Sequence, residues 1–389
     1  MSVISQISKF SNDLVSIRRD LHEHPELGME EVRTSGIVAK LLKQWGIETH
    51  TEIGKTGVVG VLKGNKSGKT IGLRADMDAL PIQENTNLKF ASKTPGVMHA
   101  CGHDAHTTML LGAARYLAET NNFAGTAIFI FQPAEEGLGG ARAMLADKLF
   151  ERFPCDEIYG LHNWPTGELG KVSIKPGPAM AGADIFILTI KGAGGHAAMP
   201  HQTRDPIVAA GMITVALQTL VSRQLDPFDQ AVVSLTKLEA GSAFNVIPNV
   251  ATIGGTLRTM KASTREDFLQ RIETVAKMVA KVTGCEVSTE IRQGYPPTIN
   301  HEADALFARG IISDVLGPEG LQTDLTPAMC AEDFSYMLQE KEGAYIWLGA
   351  GKESANLHSP LFDFNDDLLP IGASLWVRVV EAKLPNHAS

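Results

Sequence analysis

The segment HACGHDAH, residues 99–106, is the densest group of metal-competent side chains in the sequence. Cys101 and His103 stand two residues apart, so they share a face in extended backbone but not in a helix. A thiolate and an imidazole together suit Zn²⁺ and similar transition ions. Taken singly, each of these residues could equally well be a metal ligand or an ordinary core residue, that is, a buried histidine or a free buried cysteine. Three histidines and a cysteine within this one segment favour a metal site.

Two acidic clusters follow predicted strands, which is where α/β sheets place their sites. In LRADMDALP, Asp76 and Asp78 come directly after a buried strand. In FIFQPAEEG, Glu135 and Glu136 are neighbours whose side chains point apart. One could therefore bind a metal while the other takes a proton from water. The alternative for such a glutamate pair alone is a solvated acidic turn.

Two single histidines complete a possible site: His162 in GLHNW and His358 in NLHSPLFDFND. Each alone is more often a hydrogen-bonded buried histidine than a ligand. Together with a cysteine, a histidine and a glutamate they provide five donors, too many for one tetrahedral ion. Such a set suits two ions that share ligands and a bridging water, which generates hydroxide and polarises a carbonyl.

A second polar group lies further along the chain. GAGGHAAMPH places His196 in a glycine-rich loop, and FNVIPNVATIGGTLR offers Asn245 and Arg258 around a predicted strand. A histidine and an asparagine could stabilise a tetrahedral oxyanion, and an arginine could hold a substrate carboxylate through two hydrogen bonds. The alternatives are a turn-forming glycine loop, a capping asparagine and a surface arginine.

The elements that must position these residues alternate between helix and strand, as in α/β proteins. We predict an α/β fold with a mixed, mainly parallel sheet flanked by helices, and the last strand rejoining this sheet. Between 181 and 296 the order β-α-β-β-α-β indicates an inserted ferredoxin-like α+β domain, so residues 1–180 and 297–389 form the other domain. Predicted helices are 3–24, 30–45, 104–120, 139–150, 205–223, 264–283, 302–316 and one from about 366. Predicted strands are 49–63, 70–75, 125–131, 157–162, 184–191, 231–238, 250–259, 285–292 and 344–348.

Length and composition restrict the class of protein. A chain of 389 residues exceeds what one hydrophobic core usually serves, which agrees with two domains. The formal net charge of −9 comes without a basic stripe, so we expect no nucleic-acid partner. No apolar run approaches the ~18 residues of a membrane span, and no signal-peptide pattern opens the chain. The four cysteines are too scattered for a disulfide framework, so we expect a soluble cytoplasmic protein without a membrane partner.

Seven motifs in order resemble one known family over nearly the whole chain. They are LRADMDALP, MHACGHDAHT, FQPAEEG, GLHNWP, GGHAAMPH, NVIPNVATIGGTLR and HSPLFDFND. They look like the amidohydrolase branch of the aminoacylase/carboxypeptidase two-metal metallopeptidases. That branch includes hippurate hydrolase, N-acyl-L-amino-acid amidohydrolase, N-acetyldiaminopimelate deacetylase and the indole-acetyl-amino-acid hydrolases of plants.

The resemblance implies a role for each candidate residue. It implies that Glu135 is the general base and that Asp78 orients a ligand histidine. His196 would complete the active site, from the same or a partner subunit, while Asn245 and Arg258 would contact the oxyanion and the substrate carboxylate. The implied metal ligands are Cys101, His103, Glu136, His162 and His358.

The resemblance also implies a reaction, a cofactor and an assembly. The expected reaction is hydrolysis of the amide bond of an N-acyl amino acid, hippurate-like or N-acetylated, into a carboxylic acid and a free amino acid. The expected cofactor is two divalent ions per subunit, Zn or Mn, with Co or Ni as further candidates. The inserted domain would serve as a lid and join the subunits into a homodimer or a dimer of dimers.

Two alternative functions remain open from the sequence. One is a dipeptidase or carboxypeptidase of the same family, which would act on peptides rather than on N-acyl amino acids. The other is a non-catalytic binding protein whose metal ions only staple the fold. Assays that compare benzoyl-glycine and acetyl-amino acids with free dipeptides distinguish the peptidase from the amidohydrolase. Restored hydrolysis on adding metal to a folded apoprotein would exclude the non-catalytic binding protein.

Overall fold

A computed structural model of the chain describes residues 4–165, 167–324 and 326–386. The helices are α1 Ser5–Lys9, α2 Ser11–Glu23, α3 Val32–Gln44, α4 His103–Thr120, α5 Gly140–Ala146, α6 Leu149–Arg152, α7 Pro206–Thr219, α8 Ala262–Val282, α9 Glu302–Leu316, α10 Phe334–Glu340 and α11 Leu369–Lys383. The strands are β1 Glu48–Ile53, β2 Gly57–Lys63, β3 Thr70–Asp76, β4 Thr126–Gln132, β5 Glu157–Trp164, β6 Val172–Ser173, β7 Gly177–Met180, β8 Gly182–Lys191, β9 Gly195–His196, β10 Ala231–Ala240, β11 Val246–Ile247, β12 Val250–Thr259, β13 Glu286–Gln293, β14 Thr298–Asn300 and β15 Glu342–Gly349.

The chain packs as two compact units, each with its own core. The first unit comprises Met1–Ala179, Ile299–Thr326 and Asp333–Ser389. The second comprises Met180–Thr298 and the short segment Pro327–Glu332. The predicted boundaries at 180 and 297 differ from this division mainly in that short segment, which no local sequence pattern distinguishes from its surroundings.

The first unit is built on a seven-stranded sheet with the order β1-β2-β4-β3-β5-β15-β6. The four central strands β4, β3, β5 and β15 run parallel, whereas β1, β2 and β6 are antiparallel additions at the edges. The predicted mixed, mainly parallel sheet is therefore confirmed. The apolar runs TIGLRA and TAIFIF are buried along nearly their whole length because helices cover both faces of a parallel sheet.

The last strand, β15, joins this sheet between β5 and the edge strand β6. β15 pairs in parallel with β5, from Glu342 opposite Glu157 to Gly349 opposite Trp164. This confirms the prediction that the tail of the chain returns to the first sheet. The carboxyl ends of β3, β5 and β15 consequently lie at one edge of the sheet, where loops can bring polar side chains together.

Two predicted helices are interrupted in the structure. The prediction of one helix over 3–24 was wrong, because α1 and α2 are separated at Phe10, whose ψ is 19°; Val3 lies outside the described residues. The apolar residues of both helices pack into the same core, so their spacing in the sequence does not indicate the break. Similarly, the predicted helix 139–150 becomes α5 and α6, separated at Lys148 with φ of +61°.

The second unit is an antiparallel sheet covered by two helices. Its strand order is β10-β12-β8-β13, and along the chain the order is β8-α7-β10-β12-α8-β13, as predicted. Alternate residues of β8, namely Phe186, Leu188 and Ile190, are buried with α7 and α8 in a separate core. Helix α7 begins at Pro206 after Asp205, whose carboxylate accepts a hydrogen bond from the Ile207 N–H at 2.8 Å.

Helix α7 continues into one π-helical turn, Leu220–Gln224. Within the described residues, Pro206–Gln224 is the one helix whose 19 residues are long and apolar enough to cross a membrane by length and composition. Core helices pass the same test, and Ala209, Ile213 and Leu217 of this helix are buried against the sheet.

Candidate functional site

The carboxyl ends of β3 and β5 meet the start of α4 at the HACGHDAH segment. Gly102 precedes α4 with φ of +98°, a conformation that favours glycine. A Cβ at this position would lie 2.1 Å from Oδ1 of Asn163, so only a glycine lets the helix start approach β5 this closely. This close approach brings Cys101 and His103 next to His162, which lies one residue before Asn163 on β5.

The five predicted metal ligands come together in the first unit. The ligand atoms of Cys101, His103 and His162 all lie within 4.8 Å of one another, and so do those of Cys101, Glu136 and His358. The Sγ of Cys101 is 3.3 Å from Nε2 of His162, and Nε2 of His358 is 3.0 Å from Oε1 of Glu136. The two groups share Cys101, so the cluster has the overlapping form that two neighbouring ions require.

The donor set fits divalent transition ions. Among the described residues, the buried Nε2 of His103 has no hydrogen-bond partner. Buried polar atoms are otherwise nearly always satisfied, so this nitrogen is suited to binding a cation. One thiol, three imidazoles and a carboxylate are also a mixture that zinc and its neighbours bind.

Asp78 connects both halves of the cluster. Its Oδ1 lies 3.1 Å from Nδ1 of His103, and its Oδ2 accepts a hydrogen bond from the main-chain N–H of Glu136 at 2.9 Å. A carboxylate on Nδ1 leaves Nε2 of the ring to face a metal. Asp78 therefore lies where the orienting role proposed for it requires.

The charges of the cluster shift the pKa values of its members strongly. Burial alone would lower the pKa of His103, but Asp76 and Asp78 raise it to about 10. Burial, together with the negative charges of Glu136 and Glu135, raises the pKa of the Cys101 thiol well above its usual value. Burial also lowers the pKa of His162, helped by the nearby His106. A bound cation would relieve the repulsion among the acidic groups.

Glu135 contacts a different residue from its neighbour Glu136, whose Oε1 lies near His358. It is buried, and its Oε1 accepts a hydrogen bond from the main-chain N–H of Asp333 at 3.3 Å. The turn before it contains Ala134 with φ of +52°, and Oε1 of Glu31 accepts the N–H of Ala134 at 2.8 Å. Glu135 also lies within 4.8 Å of the ligand atoms of His103 and Glu136. A second carboxylate thus stands beside the cluster and remains available to move a proton.

The three candidate residues of the second unit are arranged differently. His196 on β9 pairs in register with Val246 on β11, and the main-chain oxygen of Asn245 accepts the N–H of Ala197 at 3.0 Å. His196 and Asn245 are therefore neighbours, and both are exposed. Arg258 belongs instead to β12 in the four-stranded sheet, opposite Ala183 and Val232.

The sequence singled out Asp76 and the segment that contains His106, but it did not identify the contact between them, nor Asn163 and Glu31 as supporting residues. Asp76 lies with its Oδ1 2.6 Å from Nδ1 of His106, while Nε2 of that ring is 2.7 Å from Oδ1 of Asn163. Asn163 follows His162 directly in GLHNW, and a polar residue inside a buried strand was a signal that could have been used. Glu31 had no such signal, because nothing in its local sequence indicates a partner more than a hundred residues away.

The chain therefore combines two features. Polar side chains cluster at the carboxyl ends of the strands of an α/β sheet, and a ferredoxin-like unit is inserted into the chain that forms this sheet. Residues 72–382 match the model of peptidase family M20/M25/M40, so the chain belongs to that family. It is 44% identical to hippurate hydrolase of Campylobacter jejuni, over 97% of this chain and 98% of the relative. It is also 43% identical to IAA-amino acid hydrolase ILR1-like 4 of Arabidopsis thaliana, over 96% of this chain and 86% of that one.

A solved structure of a bacterial relative is similar throughout. It is the Bacillus subtilis YXEP protein, a dinuclear metal binding peptidase of the M20 family. The two chains are 35% identical, the TM-score is 0.85, and the match covers 98% of this chain and 100% of that one. This similarity confirms the predicted family and the predicted class of fold.

Proposed function

We propose that this protein is a metal-dependent amidohydrolase that cleaves N-acyl amino acids into a carboxylic acid and a free amino acid. The observation that carries the proposal is the pairing of a ligand cluster with a separate buried carboxylate, Glu135, beside it. The similarity to a hippurate hydrolase and to a plant amino acid conjugate hydrolase supports the same chemistry. Both relatives carry names that describe cleavage of an amide to an amino acid.

We propose that the cluster holds two divalent ions, Zn²⁺ or Mn²⁺, with Co²⁺ and Ni²⁺ as further candidates. Two such ions would lower the pKa of a bound water molecule and polarise the substrate carbonyl. The proposed ligands are Cys101, His103, Glu136, His162 and His358. A thiol among the ligands favours zinc, and the oxygen and nitrogen donors also accept manganese.

The residues of this chain move the proton and hold the substrate. Glu135 takes a proton from the attacking water as the new C–O bond forms. The same carboxylic acid then gives that proton to the amine nitrogen as the C–N bond breaks, so the reaction is balanced. His196 and Asn245 donate hydrogen bonds to the oxyanion, and Arg258 binds the carboxylate of the amino-acid part.

The second unit also offers a surface for assembly into a homodimer or a dimer of dimers. Val208, Met212 and Val215 of α7 are spaced on one helical face and are 53%, 43% and 70% exposed. β10 is an edge strand of the sheet, and an unpaired edge next to an apolar helix face favours pairing with a second copy. Sedimentation of a Val215→Glu variant should show subunits separating, with Met278→Glu on α8 as the exposed control.

The proposed location is the cytoplasm. Cys101, Cys155 and Cys285 are buried free thiols, which is typical of proteins in a reducing compartment. Fractionation of cells that express the full chain would test this proposal, and recovery outside the cytoplasm would contradict it.

The decisive experiment is a hydrolysis screen of the full-length protein reconstituted with each metal. Benzoyl-glycine, acetyl-amino acids and indole-acetyl-amino acids form one arm, and free dipeptides form the other. We expect turnover in the first arm, and turnover of dipeptides alone would identify a peptidase instead. Glu135→Gln should keep its metal while kcat falls by about 10³-fold or more, since a general base contributes about 10²–10⁴-fold and here serves both steps.

A further inference from the structure

A buried polar network surrounds Arg74 in the middle of β3. Its guanidinium donates hydrogen bonds to Oε1 of Gln132 at 2.8 Å, to Oδ2 of Asp76 at 2.7 Å and to Oδ1 of Asp333 at 3.1 Å. All four side chains are completely buried. Of the four, only Asp76 was singled out from the sequence, and none is a metal ligand in the proposed mechanism.

One branch of this network leads to the proposed metal ligands. Asp76 lies 3.8 Å from Nε2 of His103, and its Oδ1 contacts His106 at 2.6 Å. Asp76 is therefore held between the guanidinium of Arg74 and the imidazole rings of His103 and His106.

The other branch leads to the proposed general base. The carboxylate of Asp333 accepts hydrogen bonds from Arg74, from Nε2 of Gln132 at 2.7 Å and from the N–H of Ala141 at 2.8 Å. The main-chain N–H of the same Asp333 donates to Oε1 of Glu135 at 3.3 Å. The side chain of Asp333 thus fixes the position of the amide group that holds the base.

Burying two carboxylates and a guanidinium costs free energy, and such groups seldom add net stability compared with apolar residues. A network with its partners in place does, however, hold its members in one arrangement. The arrangement here ends at the proposed base on one side and beside a proposed ligand on the other. Positional precision, rather than stability, is what this network supplies.

We propose that Asp333 is a positioning residue for Glu135. We also propose that Arg74, through Asp333 and Asp76, fixes the position of the base relative to the ligand cluster. This inference rests on the proposed function, because it assigns Glu135 as the base. A misplacement of about 1 Å in a catalytic group can lower a rate by about 10²-fold. Loss of the Asp333 anchor should consequently impair catalysis without removing any group that touches the substrate.

The first test is Asp333→Asn in the metal-loaded enzyme. An asparagine offers only one oxygen, so its amide N–H₂ must face either Ala141 or the donors Arg74 and Gln132. We expect kcat to fall by about 10²-fold, with KM and metal content unchanged. The matched control is Asp304→Asn, another buried carboxylate, which accepts from Tyr159 at 2.8 Å and pairs with Lys383 at 3.2 Å. This control should lower stability but leave kcat per metal-loaded site unchanged.

A milder variant protects the test against misfolding. Gln132→Met removes one neutral partner of Asp333 and keeps every charge, so we expect about a tenfold fall in kcat with the same unchanged KM. If both Asp333→Asn and Gln132→Met retain the wild-type kcat, the inference is wrong. If both lose kcat only in proportion to lost folded protein, the network has a structural role and the inference is also wrong.

A double-variant cycle separates positioning of the base from any other effect. In a Glu135→Gln background, Asp333→Asn should lower kcat by little more, because the group that it positions has already been disabled. An unchanged 10²-fold effect in that background would contradict the inference. Crystal structures of the two single variants give a reading without activity: Asp333→Asn should displace the Glu135 carboxylate, and Asp304→Asn should not.

These readings also separate the inference from the proposed function. A wild-type enzyme that hydrolyses no N-acyl amino acid would refute the proposed function. The position of the Glu135 carboxylate in the Asp333→Asn crystal structure would still decide the positioning role. Hydrolysis by the wild type with full kcat in Asp333→Asn would refute the positioning role alone.

Discussion

The polar clusters of the two units differ in how their side chains are held. In the first unit, Asp76, Asp78 and His103 are buried, and each contacts a polar side chain from another part of the chain. In the second unit, His196 and Asn245 are exposed and are placed by a short strand pair. The first cluster is organised by the fold before anything binds. In the cluster of the second unit, the strand pair fixes the backbone, whereas the side chains stay in contact with solvent. This arrangement suits the substrate-contacting role proposed for them.

The comparison is tested most severely by His103→Ala. This change removes a proposed ligand and leaves the buried carboxylate of Asp78 without its imidazole partner. We expect metal content to fall below the wild-type value, a fall in kcat of roughly 10⁴-fold, and a lower Tm. Metal analysis, kinetics and thermal unfolding measure the three effects. A variant with full metal content would show that His103 is not a ligand.

His196→Ala tests the opposite side of the comparison. Its side chain is exposed, and its Nδ1 accepts only a local hydrogen bond, from the N–H of Ala198 at 3.0 Å. We expect kcat to fall by about 10²–10³-fold, as for loss of an oxyanion donor, with metal content and Tm unchanged. His201→Ala, on the same exposed segment, is the control with wild-type kcat. A large loss of Tm in His196→Ala would remove the distinction between the two clusters.

His22 shows that the buried polar organisation extends away from the proposed ligands. Burial would lower its pKa, but the Asp104 and Glu84 carboxylates raise it to about 9. A pKa raised by folding stabilises the protein fully below the unfolded value of about 6.5 and loses that contribution as pH rises through about 9. His22→Gln should cost about 3 kcal/mol at pH 6 and much less at pH 10. Denaturant unfolding at both pH values measures this, with the more exposed His24→Gln as control; equal costs at both pH values would contradict it.

The smallest effect concerns metal affinity as a function of pH. The raised pKa values of His103, about 10, and of Cys101 mean that both groups carry protons near neutral pH. Metal binding must displace them, so affinity should rise about tenfold per pH unit for each proton released. Competition with a chromophoric chelator at several pH values measures the slope. Cys101→Ser should reduce this slope by about one proton, and a pH-independent affinity would refute the expectation.

Much of the fold could be predicted from the sequence because periodicity reports burial directly. The apolar runs of β3 and β4 and the β-α-β-β-α-β order of the second unit are examples. The breaks at Phe10 and Lys148 could not, since the apolar pattern continues across them. A break of this kind depends on backbone angles that packing imposes.

The candidate site was predictable where its residues stand in dense motifs. HACGHDAH and AEEG, with the resemblance to a family, supplied Cys101, His103, Glu135 and Glu136, and the structure brings these four side chains close together. The contact of Arg74 with Asp333 depends instead on the three-dimensional register of β3 and α10, which are far apart in the chain. Local sequence contains no information about such a partner.

The place of β15 between β5 and β6 has a consequence for synthesis of the chain. A ribosome making about 5–20 residues per second releases β15 roughly 10–40 seconds after β5, while the second unit is made in between. During that interval β5 exposes an unpaired edge, and His358 does not yet exist. The proposed set of five ligands is therefore complete only after the second unit and β15 have been made.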